Sequence, residues 1–143
     1  MYTYIKSEAT RGAYILSLDN HQEISACLKA FCEREDIRAG IVTGIGAINQ
    51  ATLRFLNPET KQYVDKTFNA QMEITNLTGN ISRKDGEVYL HLHLTLGQSD
   101  YTVVGGHMLT ATINGACELF VIPLDAEPGR CFDPETGLNL YAF

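Results

Sequence analysis

Nothing in the 143-residue sequence concentrates positive charge. Its eleven Lys and Arg residues are scattered, and only Arg83 and Lys84 are adjacent. Seventeen acids bring the net charge to −6. A surface that grips nucleic acid through phosphates needs clustered cations. Non-specific binding by a single chain is therefore disfavoured, and only an oligomer could gather these charges onto one face. No stretch approaches the ~18–20 apolar residues that span a bilayer, so no membrane association is expected. The segment from Met1 to Glu8 has no charged start followed by an apolar run, so no secretory signal is expected either. No Cys-x-x-Cys pair occurs among Cys27, Cys32, Cys117 and Cys131, which leaves a cysteine zinc site without support. These four read as reduced core thiols in the cytoplasm rather than as disulfides. No His-Glu-x-x-His is present, which removes the helical zinc pair with its glutamate base. Gly44-Ile45-Gly46 has Asn49 where a dinucleotide fingerprint needs its third glycine, and reads as a tight turn between two strands.

What is present fits one domain over residues 1–143. A chain of this length buries roughly 68–70% of its unfolded surface, enough for a core without staples. Residues 12–18 read as a first strand. A helix follows over 21–36, with Asn20 as N-cap and Glu23 as the capping-box acid. Its apolar residues Ile24, Cys27, Leu28, Phe31 and Cys32 form one stripe. Acids at Glu33, Glu35 and Asp36 oppose the helix dipole and predict an early stop. Short strands come next: 39–43, 51–56, 61–68 and 71–77, with a bend or bulge at Gly79-Asn80. Arg83-Lys84-Asp85-Gly86 carries the Asp-Gly signature of a hairpin turn. Strand character resumes over 103–107, 109–113 and 117–124. Residues 125–137 are turn-rich, and 138–143 read as a short terminal strand. The fold class is α+β: a mostly antiparallel sheet with one main helix packed on it.

The clearest strand is 87–96. Val88, Leu90, Leu92, Leu94 and Leu96 share one face, and Tyr89, His91, His93 and Thr95 the other. His91 and His93 thus project together, about 6–7 Å apart along the strand. Two imidazoles so placed can lean toward one ion at roughly 2.0–2.1 Å. His107, after Gly105-Gly106, lies on the next strand, and the glycines permit close approach. A buried imidazole pair without partners is costly, so the pair is either exposed or ligated. Three nitrogens around one ion leave a position open, as in ligand-exchanging zinc. Glu73, Glu87, Asp100 and Glu118 are the acids that could neighbour it. His21 reads as a surface residue. No catalytic residue is assigned.

Three segments together resemble one family. Met72-Glu73-Ile74-Thr75-Asn76-Leu77-Thr78-Gly79-Asn80-Ile81-Ser82 is similar to its F-E-I-x-S-L-S-G-N-I-S signature. Leu90-His91-Leu92-His93-Leu94-Thr95-Leu96-Gly97 is similar to L-H-x-H-x-S-L-G, and Val104-Gly105-Gly106-His107-Met108-Leu109 to its Gly-Gly-His turn. The chain is identified as a member of the PPC (plant and prokaryote conserved) domain family, with the resemblance covering nearly all of it. The resemblance implies a homotrimer, and zinc or another divalent transition metal on His91, His93 and His107. Plant members join this domain to AT-hooks that grip the DNA minor groove, and the domain itself then serves assembly and protein contacts. No Arg-Gly-Arg-Pro hook occurs here, so the DNA-binding label of stand-alone prokaryotic members is not expected to hold as direct binding. The expectation is a binding or regulatory module, with protein partners or a small ligand at the metal. The alternative is a metal-dependent enzyme whose open position activates water or a small carbonyl substrate.

Overall fold

The strand pattern folds as a sheet that closes on itself, with one helix laid across it. The computed structural model describes the backbone of residues 2–7 and all of residues 12–143. In chain order the elements are β1 (Tyr2–Ser7), β2 (Ala13–Leu18), α1 (Ile24–Arg34), β3 (Gly40–Asn57), β4 (Gln62–Phe68), β5 (Met72–Lys84), β6 (Glu87–Gly97), β7 (Val103–Pro123), β8 (Gly129–Asp133) and β9 (Leu138–Ala142). Each of β3, β5, β6 and β7 pairs with two others of the four, β3 with β5, β5 with β6, β6 with β7 and β7 with β3. These four ladders form a ring. β1 and β2 extend it beyond β7, and β4 adds to the far end of β3. All pairings are antiparallel except a single parallel bridge between β5 and β8.

Helix α1 forms because its stripe has a floor to bury against. Ile24, Cys27, Leu28, Phe31 and Cys32 are all buried, and the helix packs on β6 and β7. Phe31 meets Tyr14 edge-on, with ring centroids 5.1 Å apart. The leucine face of β6 supplies much of the floor: Val88, Leu92, Leu94 and Leu96 are buried, and Leu90 packs against them. The turn at Asp85-Gly86 has positive φ at both residues, the geometry that a two-residue hairpin requires. No helix is long and apolar enough to cross a membrane among the described residues.

The structure corrects several local expectations. The helix N-cap is Glu23, not Asn20: its carboxylate accepts from Ser25 N at 3.0 Å and Ala26 N at 2.7 Å. Asn20 instead accepts from the backbone of His21 and of Gly115. Gly44-Ile45-Gly46 is no turn but the middle of the 18-residue β3, where register shifts mark bulges. A Cβ on Gly44 would stand 2.5 Å from Glu118 O, so glycine is there because β7 passes too close for a side chain. Gly79 likewise sits in an unbroken β5, against the backbone of Leu92. The segments 103–107, 109–113 and 117–124 merge into the single 21-residue β7. The turn-rich 125–137 contains β8, which the sequence pattern did not announce. Cys27, Cys32 and Cys117 are buried free thiols, but Cys131 is exposed and not a core residue.

Glu23 also reaches across to the sheet, where Oε1 accepts from the buried Ala111 N at 3.1 Å. Replacing it removes the cap and strands a buried donor. Glu23→Ala should lower folding stability by about 1–3 kcal/mol. The check is a urea midpoint that moves down while the slope m stays constant.

Candidate metal centre

Strand register assembles the site. His93 on β6 lies opposite Thr78 on β5 and opposite His107 on β7. His107 in turn faces Arg54 on β3, and Arg54 faces Asp65 on β4. Five strands thus carry one continuous row: Thr78, His93, His107, Arg54, Asp65. His91 stands two residues from His93 on the same face, because the leucines between and around them point into the core. The expected close approach at the glycines is present, since a Cβ on Gly105 would stand 2.9 Å from Leu94 O.

The three rings converge. Their centroids are 5.1 to 5.4 Å apart, and one ring nitrogen of each lies within 4.8 Å of the others. His91 Nε2 and His93 Nε2 are 3.3 Å apart. Two nitrogens bound tetrahedrally at zinc distances stand roughly 3.3–3.4 Å from each other, so this pair is already at ligand spacing. The donor set is able to coordinate a divalent ion.

The surroundings favour the neutral form of His91 and His107, which is the state a ligand must have. Burial holds the His107 pKa down to about 4, helped by the nearby His91, His93 and Arg54 charges and opposed by Asp65. Burial also lowers His91, with His93 and Arg130 adding to the effect. Tyr63 packs over His107 with centroids 5.8 Å apart, and the Arg54 guanidinium lies 4.5 Å above the Tyr63 ring. Arg54 grips Asp65 through two bonds of 2.8 and 2.9 Å. Above the histidines opens a cavity of about 430 Å³, walled by Arg54, Tyr63, Tyr89, Arg130 and a set of leucines.

None of the acids nominated by sequence lines this cavity. Glu87 pairs with Lys29 at 3.0 Å, and Asp100 accepts from Thr102. Glu73 and Glu118 line a different depression, beside Ile45 and Ala47. The carboxylate beside the histidines is Asp65, already committed to Arg54. His21 is exposed in a turn, bonded to Asn20. Sequence reasoning missed Arg54, Tyr63 and Arg130 as site residues. Tyr89 was visible, since strand alternation puts it on the His91 face. Nothing local marks Arg130, which arrives from the C-terminal hairpin.

Known structures share this fold closely. A protein of Bacteroides thetaiotaomicron VPI-5482, named for a supposed DNA-binding role, is 51% identical with a TM-score of 0.95, over 100% of this chain and 98% of its own. A metal-containing protein of Archaeoglobus fulgidus is 34% identical with a TM-score of 0.88, over 100% and 99%. A plant- and prokaryote-conserved (PPC) protein of Pyrococcus horikoshii is 26% identical with a TM-score of 0.85, over 100% and 95%. No curated protein matches the chain. The Plants and Prokaryotes Conserved (PCC) domain profile matches residues 5–125, and the chain belongs to that family.

Proposed function

We propose that this protein is a cytoplasmic, homotrimeric binding module that holds a zinc-type divalent ion on His91, His93 and His107. The observation that carries the reading is the convergence of three ring nitrogens within 4.8 Å of one another, two of them 3.3 Å apart, on the floor of an open cavity. A similar archaeal protein is described as metal-containing, which supports it. Once bound, the ion would supply a Lewis-acidic position open to exchange. The chain's own residues favour the neutral form of His91 and His107, fix the facing of all three imidazoles and screen one side with Tyr63. No carboxylate lines the cavity among the described residues, so the reading stops at ligand binding. Direct DNA binding finds no support in a net charge of −6 with dispersed cations. Buried free thiols at Cys27, Cys32 and Cys117 fit a reducing compartment.

The trimer is supported by an exposed apolar face. Ile15 pairs with Phe120 across β2 and β7, and Ile41 with Ile122 across β3 and β7, so the four share one face. Each is 39% exposed or more. A contiguous apolar face of this kind marks a protein interface.

Purified protein should carry about one zinc per chain. His91→Ala should weaken zinc by at least ~100-fold, more than the loss of an outer-shell partner costs. Equal metal content in wild type and variant would sink the reading. Sedimentation should give three times the 15.8 kDa chain mass, and Phe120→Asp should return it to one. In the metal-free protein, folding keeps His107 neutral to about pH 4, whereas the unfolded chain protonates it near 6.5. Its contribution is intact above pH 6.5 and is lost as pH falls toward 4. Thermal melts of the apo protein should therefore decline across that window, and less steeply for His107→Asn.

A further inference from the structure

Arg130 is the one cation of this cavity without a counter-charge among the described residues. It sits on β8, beyond the segment matched by the family profile. Nε donates to the fully buried Ser82 Oγ at 2.7 Å, Nη2 to Asn80 Oδ1 at 2.8 Å and Nη1 to Asn139 O at 2.8 Å. All three acceptors are neutral. They occupy three of the five donors that a guanidinium carries. The group is also stacked by two rings, with Tyr89 at 4.8 Å and Tyr141 at 4.1 Å from its carbon. No carboxylate pairs with it among the described residues, whereas Arg54 across the cavity is neutralised by Asp65. Arg130 is half-buried and held by three hydrogen bonds and two rings of the chain itself.

A divalent ion on three neutral histidines would add two further positive charges to the same space. Burying like charges together is costly unless an anion joins them. A fixed guanidinium with donors to spare is matched in shape to a carboxylate. The remaining wall is apolar, formed by Phe55, Leu56, Leu138 and Leu140. We infer that the cavity binds a small aliphatic carboxylate, its anionic head between Arg130 and the open metal position and its hydrocarbon body against the leucines. This inference rests on the metal reading above. Arg130 is then a specificity residue supplied by the C-terminal hairpin.

Calorimetric titration of the zinc-loaded protein with isovalerate tests it. Wild type should bind isovalerate at least tenfold more tightly than isovaleramide, the neutral analogue of the same shape. Arg130→Gln should weaken isovalerate at least tenfold with zinc stoichiometry unchanged. The wild-type comparison stands even if that variant folds poorly, and Arg130→Lys should retain part of the affinity through its charge. Inorganic phosphate should not displace isovalerate at equal concentration. Zinc bound with no isovalerate binding, with equal affinity for the amide, with phosphate preferred, or with Arg130→Gln unaffected overturns this inference alone. A protein that holds no zinc overturns both readings together.

Discussion

The register of β6 between β5 and β7 is the constraint on which the rest of this structure depends. A strand's side chains alternate, so a one-residue slip would exchange its two faces. Here the slip would expose Leu92, Leu94 and Leu96 and push His91 and His93 into the core. Losing three buried leucines would cost several kcal/mol, at roughly 1.5–3 kcal/mol for each. The core therefore fixes the histidines without contacting them. The same ladder closes the ring of four strands, because β6 reaches β7 only through the short pairing of His93–Gly97 with Val103–His107. Closure and site are one event, since the pair at one end of this ladder is His93–His107.

Electrostatics then follow from the crowding. Three imidazoles at these distances cannot all be charged, and burial penalises the first proton on His107 most. The result is that His91 and His107 both favour the neutral form that a ligand needs. The Arg54–Asp65 pair keeps a guanidinium close to His107 while cancelling most of its charge. Tyr63 contacts both the Arg54 guanidinium and the His107 ring. The fold thus supplies a floor of imidazoles and a neutralised wall on one side, leaving Arg130 on the other as the one cavity cation without a counter-charge among the described residues.

Much of this was legible in the sequence, and the reasons are physical. The period-two pattern of β6 is unambiguous because one face is pure aliphatic. The α1 stripe is equally plain, as is the Asp85-Gly86 turn. The long strands were not legible. Gly44, Gly46 and Gly79 look like punctuation in one dimension, but their role is to let a neighbouring backbone pass where a Cβ cannot fit. Sequence pattern cannot distinguish a glycine that turns the chain from one that admits another strand. The Asn20 cap failed for a related reason: a better acceptor, Glu23, could satisfy both the helix and the Ala111 N–H of β7, and Asn20 was needed at Gly115. Two of the three missed site residues, Arg54 and Tyr63, lie on strands that the pattern did place, and only the β3–β4–β7 register tells which face and which row they join.

Arg130 was the hardest to anticipate, and the reason bears on how the site is built. Its strand makes one bridge to β5, at Arg83 and Gly129, yet it carries a side chain anchored by residues of β5, β6 and β9. The anchoring acceptors Asn80 and Ser82 lie on β5 opposite His91 and Tyr89, so the hairpin reads the same register that sets the histidines. The three-nitrogen floor lies within residues 5–125 matched by the family profile, while Arg130 comes from the C-terminal hairpin beyond them. On the proposed reading, metal affinity and anion preference therefore reside on different strands, β6 and β7 for the one and β8 for the other. On that reading a change confined to β8 and β9 would alter what the cavity accepts and leave the His93–Gly97 and Val103–His107 ladder in place, because among the described residues β8 and β9 share no ladder with β6 or β7.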